Sequence, residues 1–78
     1  MLLTVEKEKL DQGEVAICFD EEGLEFLIEE LSKLREKRDH RHLMTPSWSG
    51  NELTEVPQGG DSYELCNSLR LVSLPSSN

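Results

Sequence analysis

Apolar and polar positions alternate at the start of the chain, and the period of two predicts strands. Over Leu2–Lys7, Leu3 and Val5 fall on one face and Leu2 and Thr4 on the other. Leu10, Asp11, Gln12 and Gly13 read as a hairpin connection, with Gly13 free to take positive φ. Glu14–Phe19 gives the clearest strand pattern. Val15, Ile17 and Phe19 share a face expected to pack on a helix. Glu14, Ala16 and Cys18 share a weakly polar face that suits a solvated or partner-covered side.

The period then changes to that of a helix, predicted over residues 21–38. Asp20 is placed to cap it, and Glu21 and Glu22 stand in its first turn, where the macrodipole favours negative charge. Leu24, Leu27, Ile28, Leu31 and Leu34 recur at spacings of three and four, which predicts one buried stripe. Phe26 falls off it and is expected to be partly exposed. Lys33, Arg35, Lys37 and Arg38 crowd the far end, where cations are favoured.

Alternation returns at His40–Thr45, with His40, His42 and Met44 on one side and Arg41, Leu43 and Thr45 on the other. Leu43 is the expected core residue. Pro46 should end this strand, and Ser47, Ser49, Gly50 and Asn51 read as loop. A long connection continues to Gly59 and Gly60; connections of this length in small domains are often functional. Asp61 with Glu64 three residues on resembles a capping box, so Asp61–Ser68 is assigned a short helical turn. Leu69–Leu74 reads as the last strand. The expected fold is α+β: a small antiparallel sheet of about four strands, in the order β-β-α-β-β, with one helix on one face. It forms a single domain over residues 1–74, with 75–78 as a flexible tail.

Seventy-eight residues bury only about 60% of their unfolded surface, so a homodimer is one route to further burial. The formal net charge of −8 argues against nucleic acid and against an anionic membrane, both of which need cationic contacts. It favours a basic protein partner. Two cysteines, Cys18 and Cys66, are too few for a disulfide scaffold. No apolar run is long enough to span a bilayer, and no signal-peptide pattern opens the chain, so a cytoplasmic protein is expected.

The residues that could carry chemistry form no complete set. His40 and His42 could begin a zinc site, but no CxxC or HExxH spacing completes one. Cys66 and His42 lack a third orienting group, and Ser47 and Ser49 sit in no G-x-S-x-G elbow. Gly59–Gly60 lacks the lysine and the following helix of a phosphate loop. The chain is therefore read as a non-enzyme without metal or cofactor. Trp48 has two readings. Its ring can close a sheet edge, or it can anchor a partner, since tryptophan is enriched where interfaces are most buried.

The run His40-x-His42-Leu43-Met44-Thr45-Pro46-x-Trp48-x-Gly50-x-Glu52-Leu53 resembles the signature of immunity protein family 32 of bacterial polymorphic toxin systems. The order of elements around it agrees, so the resemblance spans most of the chain. The family pattern has a glycine directly after the tryptophan, where this chain has Ser49. The resemblance implies a protein made beside a bacterial toxin, which it neutralises by stoichiometric binding. Its candidate partner-binding residues are His40, His42, Trp48 and Glu52, joined by Glu22, Glu25 and Glu29 on the polar side of the helix. A homo-oligomeric structural or regulatory module is the alternative, followed by a small metal-dependent enzyme.

Overall fold

Two alternating segments joined by a short connection offer each other the most local sheet contacts in the chain. The computed structural model describes residues 1–10, 13–35 and 39–75. Strands β1 (Leu3–Glu8) and β2 (Val15–Phe19) lie antiparallel, with Leu3 opposite Phe19 and Val5 opposite Ile17. The hairpin assigned to Leu10–Gly13 includes Asp11 and Gln12, which lie outside the described residues. Helix α1 (Glu21–Ser32) follows at once, and strand β3 (His40–Met44) comes after it. A 3-10 turn over Pro46–Trp48 ends β3, as Pro46 requires. Strands β4 (Tyr63–Cys66) and β5 (Ser68–Val72) close the chain.

The class is α+β and the order of elements fits the expected one, with two differences in detail. The strands form two antiparallel sheets, β2-β1-β4 and β3-β5. Tyr63–Cys66 is a strand, where the Asp61–Glu64 spacing suggested a helical turn. The free edge of β1 accounts for this: Glu8 pairs with Tyr63 and Glu6 with Leu65, and a ladder of long-range bonds outweighs one local capping signal. Asn67 alone separates β4 from β5 and carries the chain from one sheet to the other. Thr45 fixes that corner by donating its N–H to the Asn67 carbonyl (3.0 Å) and its hydroxyl to Asn67 Oδ1 (2.7 Å).

Leu3, Val5, Leu43 and Leu53 form the buried core, with Phe26, Leu27, Cys66, Leu69 and Leu71 packed against it. Leu43 is fully buried, as the alternation of β3 predicts. The helix meets this core with only part of the expected stripe, Leu27 and, just past its end, Leu34. Gly23, Glu30 and Leu34 are buried and Phe26 and Leu27 point inward, while Leu24, Ile28 and Leu31 are 37%, 46% and 49% exposed. Apolar residues fill so wide an arc of this helix that spacing alone leaves its rotation open. Two tertiary contacts set it. Gly23 lies against β1, where a Cβ would stand 2.0 Å from the Leu2 carbonyl oxygen. Glu30 turns inward to meet Arg41 of β3 at 2.6 Å. Asp20 caps the helix as expected, accepting from Gly23 N–H at 2.8 Å. The helix ends at Ser32, short of the expected basic cluster; Lys37 and Arg38 lie outside the described residues.

Gly23→Ala tests this close approach. Alanine favours an exposed helix interior by about 1 kcal/mol over glycine. Here the clash with the Leu2 backbone should reverse that sign, and the variant should unfold at lower denaturant than the wild type.

The expected burial of Val15, Ile17 and Phe19 also fails. Register puts them on the face that Leu3 and Val5 bury, but β2 is the outer strand, and they remain 62%, 40% and 48% exposed. The middle strand has no free side: Leu3, Thr4, Val5 and Glu6 are all buried. The connection from Trp48 to Tyr63, long enough to suggest a functional loop, is what covers β1. Thr54 N–H donates to the Leu3 carbonyl (2.7 Å), and Leu3 N–H donates to Thr54 Oγ1 (2.9 Å). Further on, the Glu6 carboxylate accepts from Thr4 Oγ1 (2.6 Å), Gln58 N–H (2.9 Å) and Gly59 N–H (2.8 Å). Burial pushes the Glu6 carboxyl up, but these donors and the Cys18 thiol outweigh it and hold it below the usual 4.5.

Candidate partner-binding surface

The second sheet presents an outer face built by alternation. His40, His42 and Met44 point away from the core residues Arg41 and Leu43 flank, and the register sets His42 opposite Arg70 and His40 opposite Val72. The two imidazoles meet edge to face with ring centres 5.1 Å apart, and both residues are exposed. This face carries cationic and imidazole groups on an otherwise acidic chain. Among the described residues, no three His, Cys, Asp or Glu side chains gather as a metal site would require.

Beyond β3 the chain folds tightly back on itself. Trp48 N–H and Gly50 N–H both donate to the Thr45 carbonyl, at 2.9 and 3.0 Å. Ser49 occupies the left-handed region, with φ 66° and ψ 22°. Glycine takes that conformation without the Cβ clash that an L side chain meets there. Glycine therefore suits this backbone position better than Ser49 does. Ser49→Gly should raise stability by about 0.5–1 kcal/mol, read as a higher denaturant midpoint.

The turn holds Trp48 with 57% of its surface exposed. Trp48 thus stands at the end of β3 with more than half of its surface accessible. Glu52 is committed locally, because its Oε1 accepts from Met44 N–H at 2.9 Å. Glu55 similarly accepts from Ser47 N–H at 2.7 Å, and bonding to Ser47 holds its carboxyl below the usual 4.5.

Glu22, Glu25 and Glu29 are exposed on α1, as expected. With Glu21 they rim an open groove of about 460 Å3 floored by Met1 and Phe26. Two other acids are internal. Glu6 lies under the connection that covers β1. Glu30 sits between α1 and β3, 2.6 Å from Arg41 and 2.7 Å from Lys33. Burial pushes the Glu30 carboxyl up, and its bonds to Lys33 and Arg41 more than offset this, leaving it below 4.5. The surface field is therefore made by fewer carboxylates than the sequence contains.

Sequence reasoning missed the apolar part of the surface. Val15, Ile17 and Phe19 on β2, and Leu24, Ile28 and Leu31 on α1, were all assigned to the core. One signal was present: of the five strands among the described residues, Val15–Phe19 alone lacks a charged or imidazole side chain, a pattern that fits a covered strand better than a wet edge. Among the described residues, no helix is long and apolar enough to cross a membrane.

A family model described as Immunity protein 32 matches residues 14–69, a span that runs from the start of β2 into β5 and includes the whole His40–Leu53 segment. Comparison with curated proteins and with solved structures gives no match.

Proposed function

The chain belongs to the immunity protein 32 family, and from this we propose that it protects a bacterial cell by binding a cognate toxin one to one in the cytoplasm. Blocking by association needs neither catalysis nor a cofactor. The observation that carries the reading is Trp48. A tight turn within the family-matched residues 14–69 holds a large apolar side chain more than half exposed, where it gives up burial that a 78-residue chain can ill spare. A partner that covers it recovers that burial, and rigid aromatic anchors of this kind dominate binding energy.

The toxin is expected to be basic. The chain carries a net charge of −8, and Glu22, Glu25 and Glu29 lie together on the exposed face of α1. A field of one sign speeds encounter, while affinity comes from the buried anchors. His40 and His42 lie on the strand that leads into the Trp48 turn, and we assign them to the rim of the same contact.

The test is association with the toxin domain encoded beside this gene, measured across a salt series. The association rate should fall as salt shortens the screening length to about 8 Å and below. Trp48→Ala should weaken binding by about 2 kcal/mol or more, some thirtyfold, with an unchanged melting temperature. Unchanged affinity in that well-folded variant would remove the anchor, and a rate insensitive to salt would remove the electrostatic steering.

A further inference from the structure

We propose that β2 is a docking edge, and that the toxin occupies it with an extended, net-cationic segment that joins the β2-β1-β4 sheet as an additional strand. This inference rests on the toxin-binding reading above.

The backbone pattern comes first. Glu8 N–H donates to the Glu14 carbonyl, and Asp20 N–H donates to the Leu2 carbonyl, both at 3.1 Å. In an antiparallel ladder the bonded pairs alternate, so Glu14, Ala16, Cys18 and Asp20 turn their polar groups toward β1. Val15, Ile17 and Phe19 turn theirs outward, where they meet no partner among the described residues. These same three residues hold their side chains 62%, 40% and 48% exposed. The edge thus offers a row of free donors and acceptors together with apolar contact area, the two components of recognition by strand addition.

The edge is also unguarded. Open edges are normally protected by lysine, proline, a bulge or a charge. Each of the other four strands carries a charged residue: Glu6 and Lys7 in β1, Arg41 in β3, Glu64 in β4 and Arg70 in β5. Val-Ala-Ile-Cys-Phe carries none, and it contains neither proline nor glycine.

Charge selects the occupant. A second copy paired in the fully overlapping register, Ile17 on Ile17, would set Glu14 opposite Asp20 at both ends of the strand. Like charges directly opposite are destabilising, and each chain brings a net charge of −8. A partner strand that is apolar in its centre and carries lysine or arginine at its ends turns both repulsions into attractions, with Glu21 just beyond Asp20 adding to the field.

Amide hydrogen exchange by NMR tests this residue by residue, using the full chain alone and mixed with the toxin domain encoded beside its gene. In the free protein, the amides of Ala16 and Cys18 should be protected and those of Val15, Ile17 and Phe19 should exchange fast. In the complex the outer three should slow by about a hundredfold or more. Ile17→Pro removes one outward N–H and no ladder bond to β1, a position where edge strands tolerate proline, and it should weaken the complex at least about tenfold. A complex in which the three amides still exchange fast overturns the docking edge while leaving toxin binding intact. Absence of any complex overturns both. Protection of these amides in the free protein, with a doubled mass, assigns the edge to a second copy and overturns the proposed occupant. The exchange measurement uses wild-type protein, so the proposal stays testable if Ile17→Pro does not fold.

Discussion

Leu43→Ala is expected to remove about 2–5 kcal/mol of stability, enough to leave a domain of this size largely unfolded near physiological temperature. Leu43 is completely buried at the meeting point of the two sheets, among Leu3, Val5 and Leu53, so truncation opens a cavity that neither sheet can close alone. The control is Leu31→Ala. Spacing alone places Leu31 in the middle of the buried stripe and predicts a comparable loss. In the structure it is 49% exposed, and its truncation should change stability by less than about 1 kcal/mol. Denaturant unfolding of the two variants compares them directly. Equal destabilisation would mean that the helix packs through the Leu24–Ile28–Leu31 side after all.

Glu6→Ala should be the most damaging polar substitution, at about 2–4 kcal/mol. It strands the Thr4 hydroxyl and the N–H groups of Gln58 and Gly59 in a buried site and releases the connection that covers β1. The pH dependence has a definite sign. The folded pKa of Glu6 lies below its usual 4.5, so the folded state binds its proton less readily than the unfolded chain. Its contribution is complete above about pH 4.5 and disappears as pH falls through the lower, folded value. Glu30, also held below 4.5, adds to the same acid loss. Wild-type stability should therefore be level between about pH 6 and 8 and decline below about 4.5. Glu6→Gln should start lower and decline less steeply. A parallel decline in the two proteins would show that Glu6 does not contribute through its charge.

The sequence made some of this legible and concealed the rest for identifiable reasons. The β1–β2 hairpin, the Asp20 cap, β3 with Leu43 inward, and the Pro46 stop all rest on signals carried within a few residues, and all are present. The rotation of α1 was hidden because it depends on Gly23 approaching β1 and on Glu30 reaching Arg41, contacts to other elements that no window on the helix contains. Tyr63–Cys66 was misread because its partner, the free edge of β1, lies more than fifty residues earlier. The burial of Glu6 and Glu30 is hidden because a buried carboxylate looks like any other in sequence until its donors are located.

At the candidate site, the run His40–Leu53 marks a segment without grading its residues. It could not distinguish Trp48, which is held outward, from Glu52, which is occupied by the Met44 N–H. The exposed apolar row on β2 was legible only as an absence of charge. Periodicity assigned it to the core because alternation identifies the two faces of a strand and says nothing about whether the strand ends its sheet.

The most direct test of toxin neutralisation is a titration of the neighbouring toxin domain's activity with this protein. The account predicts a linear fall to background with the break at one molar equivalent, and a one-to-one complex by native mass spectrometry. Undiminished toxin activity in the presence of excess folded protein would contradict it.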